Sequence, residues 1–372
     1  MLQEAFILES MQKNHSYKTP LISVLLLLAA AGILLIAARF LPGFAQWYSV
    51  TVYPLLVGSI GRICGLVSFS VAEILCIMIP ALVIIDLAVS AIRNRFAGAF
   101  IRFLLTVSVL FFLYAACCGV NYYREPFVSR DVMKTAEISE NELAEFCGYI
   151  ADRINESYEA AVIDKPVSDN TSMQSSSYPH GDELASMAVA AMQSLNDERL
   201  SGYYPQPKEL RILSGAFSSM GVSGIYSPFT IEANVNGIMP GLEMPFTACH
   251  ELSHLRGFMN EGEANYIGWL ACINSDEEAF RRSGWLIAWI YAGGALHKTD
   301  PEHFSEIYRR LPAAAVAELK ENNEFWRSHE TRASDIQDKV NDAYLKSNGQ
   351  DQGVQTYGQL TTLMLIWFMN QK

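Results

Sequence analysis

The run "TACHELSHLRGFMNEGEANYIGWLAC", residues 247–272, gathers His250, Glu251 and His254, then Glu261, Glu263 and Asn265 beyond a glycine. The two histidines are four apart, so on a helix they project from one face, one turn apart. That spacing lets two neutral imidazoles reach a single Zn²⁺ at about 2.0–2.1 Å. Glu251 lies one step round the helix, placed for a water on the ion rather than for the ion itself. Zinc lowers the pKa of such a water toward about 7, and a carboxylate base completes a nucleophile able to attack an amide. The H-E-x-x-H pattern alone is short and also arises on an ordinary wet helical face.

The residues just beyond the second histidine narrow the reading. On a straight helix Glu261 would stand about 16 Å along the axis from His250, out of range. Gly257 can end the helix in the left-handed conformation. A reversal at Gly257 and Phe258 makes an antiparallel hairpin in which 261 falls opposite 254, and 265 opposite 250. Glu261 then offers a third ligand, and Asn265 an acceptor for the far nitrogen of His250 that would fix its tautomer. Glu263 is a rival; behind an Asn260 N-cap it occupies the third helical position, where a capping box is an equal use for it. Three protein ligands leave a fourth position open, which is the mark of a catalytic rather than a structural zinc.

With these residues in view, "HELSHLRGFMNEGEANY" resembles the gluzincin zinc metallopeptidases, whose pattern is H-E-x-x-H followed by E-x-x-x-D or E-x-x-x-N. Three apolar N-terminal runs, "GVNYYREPF", "SPFTIEANVN" and "YLKSNGQDQGVQTYG" together make most of the chain similar to the bacterial DUF3810 family, of unknown function. The gluzincin resemblance implies His250, His254 and Glu261 as ligands of one Zn²⁺, Glu251 as general base and Asn265 as the histidine's partner. Two departures stand out: the gap before Glu261 is unusually short, and Asn265 replaces the commoner Asp. The metzincin pattern is a near miss, with Asn260 where a third histidine would be. The resemblance also implies an upstream edge strand that pairs with an extended substrate. "FTIEANV" (229–235) is in the right place, with Ile231, Ala233 and Asn234 as its substrate-binding residues. An oxyanion donor is needed too; Tyr357 is the candidate, with Tyr291 and His297 behind it. His180, His303 and His329 are expected at the surface.

The fold class that must position this cluster is mainly α. Three N-terminal transmembrane helices are expected to precede an α+β, zincin-like domain with a small sheet and the H-E-x-x-H helix. Residues 21–38 and 103–120 are uncharged or nearly so, and 74–92 is interrupted only by Asp86 and by a kink expected at Pro80; each suffices to cross about 30 Å of hydrocarbon. The stretch 52–67, with its glycines and Arg62, reads as an interfacial or re-entrant piece, and 121–127, "NYYREPF", as an aromatic belt with a cationic anchor. Domains are thus expected at 1–120 (membrane) and 121–372. Arg93, Arg95 and Arg102 between the later spans, with Lys13 and Lys18 in the tail, place those segments in the cytoplasm. The chain beyond 121 then faces away from the cytoplasm at the plasma membrane.

That outer part is acidic. Of 27 Lys and Arg and 39 Asp and Glu, 7 and 4 lie within the first 120 residues, leaving a net charge of about −15 beyond them. Nucleic-acid partners need a basic face and are excluded as an expectation. The seven cysteines show no pairing pattern and read as small buried hydrophobes. Strands are expected only in 211–236, helices from 140 and from 240 onward, and the apolar tail "YGQLTTLMLIWFMN" is too short to span. The leading expectation is a membrane-anchored zinc peptidase whose partners are a peptide or protein substrate and the lipid bilayer. A zinc-dependent membrane sensor, or a scaffold with a structural metal, is the alternative; the short cytoplasmic segments and the retained Glu251 favour the enzyme.

Overall fold

A computed structural model describes residues 2–129, 139–164, 178–348 and 359–372, with backbone only at 2–17 and 160–164. Three long helices come first: α1 (Leu2–Phe40), α2 (Val71–Ile92) and α3 (Phe96–Cys117). Segments Lys18–Phe40, Val71–Ile92 and Phe96–Tyr123 are long and apolar enough to cross a membrane. α2 runs through Pro80 as one helix. Asp86, the charge inside it, is met by a two-pronged hydrogen bond from Arg102 on α3, at 2.7 and 3.1 Å. Pairing of this kind is how a charge is tolerated at membrane depth.

Beyond α3 come α4 (Glu140–Asp164) and α5 (Gly181–Ser194), then a three-stranded sheet interrupted by a short helix: β1 (Lys208–Leu210), α6 (Ser214–Ser219), β2 (Gly224–Ser227) and β3 (Glu232–Asn236). The stretch 211–236 is therefore only partly strand, because 214–219 winds into a helix whose Ser218 is held by the Asn236 amide. The strand order is β1-β3-β2, with β1 parallel and β2 antiparallel to the central β3. The remaining long helices are α7 (Met244–Leu255), α8 (Glu261–Ile273), α9 (Glu278–Ala288), α10 (Ala313–His329), α11 (Arg332–Ser347) and α12 (Gln359–Met369). α12 buries Leu360, Leu363, Met364, Leu365 and Phe368, so the apolar tail is a core helix. All seven cysteines are free, five of them buried.

One core serves both the connector after α1 and the chain after α3. Tyr48, Tyr53 and Val57 belong to the same buried cluster as Ile150, Val235, Leu252 and Trp269. The 52–67 stretch forms short helical turns packed on this core, and Tyr53 Oη donates to the Leu255 carbonyl at the end of α7, at 2.9 Å. The N-terminal end of α2 is locked to the sheet. Glu232 of β3 accepts from the Val71 and Ala72 N–H groups and from Lys208 Nζ, while Glu73 accepts from the N–H groups of Arg211, Ile212 and Leu213. Glu232 thus sits at the positive end of a helix dipole, paired with a buried ammonium.

Candidate metal centre

The H-E-x-x-H segment lies on α7, entered through Pro245 in its first turn. The helix stops at Arg256, and Gly257 turns left-handed with φ 86°, a conformation that costs a side-chain-bearing residue about 1–2 kcal/mol. Asn260 then caps α8, its side chain accepting from the Glu263 N–H at 3.1 Å. The hairpin brings His250 Nε2 to 3.4 Å from one Glu261 oxygen and His254 Nε2 to 3.6 Å from the other.

These separations discriminate between an ion pair and a metal site. A charge-assisted N–H···O bond closes to about 2.7–2.9 Å. Two donors each about 2.0–2.1 Å from a tetrahedral zinc stand about 3.4 Å apart. The three side chains lie within 4.8 Å of one another at their ligand atoms, so the donor set fits one divalent ion. Two imidazoles and a carboxylate suit zinc and also other borderline divalent cations.

His254 Nδ1 stands 2.8 Å from the Phe258 carbonyl oxygen, just past the turn. In the neutral imidazole, donating there leaves Nε2 as the lone-pair nitrogen, facing Glu261. In the ion-free protein, burial opposes charge on His254 but the Glu261 carboxylate outweighs it, raising the imidazole to about 9. Burial acts to raise Glu261, and His254 foremost overrides it, holding this carboxyl well below the usual range. Glu251 is 4% exposed and is pushed up to about 7, chiefly by burial, with both histidines pulling it down and Glu261 pushing it up. Its Oε2 has no hydrogen-bond partner among the described residues. A buried carboxyl near neutrality with an unused oxygen is suited to take a proton from a neighbour.

The competing carboxylate is turned elsewhere. Glu263 Oε1 accepts from the Phe127 N–H at 2.8 Å, tying α8 to the segment after α3. Asn265 is buried one turn beyond Glu261, but its expected bond to His250 is not made. His250 Nδ1 and Asn265 Nδ2 are both buried without partners among the described residues, since the ring is oriented by the contact of its other nitrogen with Glu261.

The expected substrate strand is corrected by the topology. β3 is central, its backbone paired on both sides, so Ala233 and Asn234 have no free edge to offer. Asn234 instead spends its side-chain amide on the Ile225 and Glu232 carbonyls. Ile231, with φ 51°, buries its side chain beside Gly61. The edge strands are β1 and β2, and β2 is the one that reaches Glu251. The Asn236 N–H donates to Ser223 O, so the antiparallel alternation turns the backbone of Gly224 and Tyr226 to the side on which no described strand pairs. A Cβ on Gly224 would stand 2.6 Å from Glu251 Oε1, so this glycine lets the edge lie directly on the Glu251 carboxyl.

Among the oxyanion candidates, Tyr357 lies outside the described residues. Tyr291 sits in a π-helical turn, Trp289–Gly293, and its phenol is raised by burial, then by the charges of Glu243 and Glu261. π-turns of this kind recur at functional sites. His297 is exposed against Phe304, and His180 and His303 are exposed beside Glu209 and Asp300. His329 is half-buried against Phe325.

In "NYYREPF" the polar and cationic residues are built into the protein. Asn121 and Arg124 are buried; Arg124 donates to the Arg256 carbonyl at 2.8 Å, with its guanidinium 3.8 Å from the centre of the Phe258 ring. It braces the turn that carries the metal cluster, and it satisfies a carbonyl left open at the end of α7. The sequence marks Arg124 only as a lone cation among aromatics, and its backbone acceptor leaves no signal of the bracing role.

A family model described as "Protein of unknown function (DUF3810)" matches residues 48–365, and the chain belongs to that family. No curated protein and no solved structure matches it.

Proposed function

We propose that this protein is a membrane-anchored, zinc-dependent peptidase that cleaves an extended peptide or a membrane-protein segment on the extracytoplasmic side of the plasma membrane. The observation that carries it is the convergence of His250, His254 and Glu261 at metal-ligand spacing, with Glu251 beside them. Zinc held there would supply Lewis acidity, polarising a carbonyl and acidifying the water it binds. Glu251 takes the proton from the attacking water and passes it to the leaving amine. Its buried surroundings keep it near the pKa such work requires. The open edge of β2 aligns the substrate backbone over Glu251 by adding a strand to the sheet. Tyr291, whose phenol feels the Glu261 charge, is a candidate donor to the developing oxyanion.

The nearness of the span end supports a substrate presented close to the bilayer. Cys118, directly after α3, touches Met259 with 3.6 Å between sulfurs, and Met259 is two residues from Glu261. The test is metal analysis of the full chain in lipid nanodiscs, with a peptide-library digest before chelation, after it, and after zinc is restored. Bound zinc with chelator-sensitive cleavage is the expected result; a metal-free chain that cleaves nothing after zinc loading would overturn the reading.

A further inference from the structure

α11 is attached to the protein in an unusual way. The residues that turn to the protein, Ser334, Gln337, Asn341, Leu345 and Asn348, recur every three or four positions and are mostly polar. Its large apolar side chains point elsewhere: Ile336 and Val340 are 62% and 58% exposed, and Tyr344 is 37% exposed. At 3.6 residues per turn these three fall within an arc of about 80°. Charged residues, among them Asp335, Lys339, Asp342 and Lys346, occupy another arc. The helix is therefore amphipathic, and among the described residues the stripe is open at Ile336 and Val340, while Tyr344 at its end packs against Tyr114 and Tyr122.

The anchors at its two ends say what does cover it. About 20 residues cross the hydrocarbon. Counted from Phe96, next to the arginine-bearing loop, α3 leaves it near Ala115, where the chain becomes buried in the outer domain. Tyr114 stands at that level. Its hydroxyl donates to Asn348 Oδ1 at 2.7 Å, and its ring packs edge-on against Tyr344. The other end of α11 is held by Thr331, whose hydroxyl donates to Ser219 O at 2.7 Å. Ser219 ends α6, the helix just after the 211–213 backbone clasped by Glu73 in the first outer turn of α2. Both ends are thus tied to segments at the outer ends of two spans, and the 16 residues between, about 24 Å, run along the membrane plane.

We infer that α11 is an interfacial helix whose Ile336–Val340–Tyr344 stripe is embedded in the lipid bilayer surface, holding the outer domain down on the membrane. Continuity with the spans favours lipid over a protein partner, because the stripe begins at the aromatic contact with the end of α3. Burial of such a stripe at the headgroup boundary is how amphipathic helices lie on membranes. The inference does not depend on the peptidase reading.

The test uses the full chain in phosphatidylcholine vesicles, with Cys64→Ser and Cys76→Ser leaving only buried thiols. Val340→Cys, and separately Ile336→Cys, carry an environment-sensitive fluorophore; Lys339→Cys on the charged arc is the reference. Lipids brominated at shallow acyl positions should quench labels at 340 and 336 strongly and shift them to the blue, with little effect at 339. Equal, weak quenching at all three positions would overturn the inference, and so would labels at 340 and 336 that are shielded only when a peptide is added.

Discussion

His254 and Phe258 are joined across the turn that ends α7: the imidazole Nδ1 lies 2.8 Å from the Phe258 carbonyl oxygen, while Nε2 faces Glu261. The four residues of that turn therefore set the tautomer of a ligand as well as the direction of the next helix. The arrangement depends on Gly257 at φ 86°, whose added Cβ would also come within 3.1 Å of Arg124 Nη1.

Gly257→Ala should accordingly cost about 1–2 kcal/mol of stability and weaken metal binding together with it, because the Phe258 carbonyl moves. Thermal melts with and without zinc measure both; a variant with unchanged melting and unchanged metal content would contradict this role for the turn.

Glu251→Gln keeps the shape and removes the base. Metal content should be unchanged and peptide hydrolysis should fall by about 10²–10⁴-fold. Full turnover in this variant would end the peptidase reading.

The two glutamates of α8 should separate cleanly. Glu261→Ala is expected to lose the ion. Glu263→Ala should keep it but destabilise the chain by about 1–3 kcal/mol, because the Phe127 N–H loses its acceptor. Metal analysis beside melting curves decides, and the reverse pattern would make Glu263 the ligand.

Legibility in the sequence divides along the range of the interaction. The helix with its two histidines, the break at Gly257, the Asn260 cap and the register that selects Glu261 are all local, fixed by periodicity and by one permissive residue. The order of three short strands is not local. Nothing in "FTIEANV" says that β1 and β2 will flank it, so the sequence makes an edge of a strand that is central. Arg124 escapes it for the same reason: its acceptor is a backbone carbonyl 132 residues away, which carries no side-chain signature.

Gly224→Ala tests the reassigned edge. The new methyl would stand 2.6 Å from Glu251 Oε1 and 2.9 Å from the Asn234 carbonyl oxygen, so strand or base must shift. Overpacking of this size costs about 1–3 kcal/mol. Activity should drop far more than metal content, as read by kcat and zinc analysis on the same sample.

Lys208→Met strands the Glu232 carboxylate in a buried site, its side chain 1% exposed, at a cost of about 3–5 kcal/mol. Adding Glu232→Gln should recover part of that loss, since an amide oxygen can still accept from the Val71 and Ala72 N–H groups. Denaturation of the single and double variants in nanodiscs gives the comparison; a double variant worse than the sum of the singles would count against the pair.

Because Tyr48, Tyr53 and Val57 pack in the same core as Leu252 and Trp269, the α2–α3 membrane hairpin is an insertion within a globular unit that starts before it. A gene shortened to begin at residue 121 would discard those packing partners, along with the carboxylate of Glu73 that gathers three backbone amides. A water-soluble version would have to keep residues 44–73 and bridge directly from there to the end of α3, trimming the protein from its middle rather than from its front.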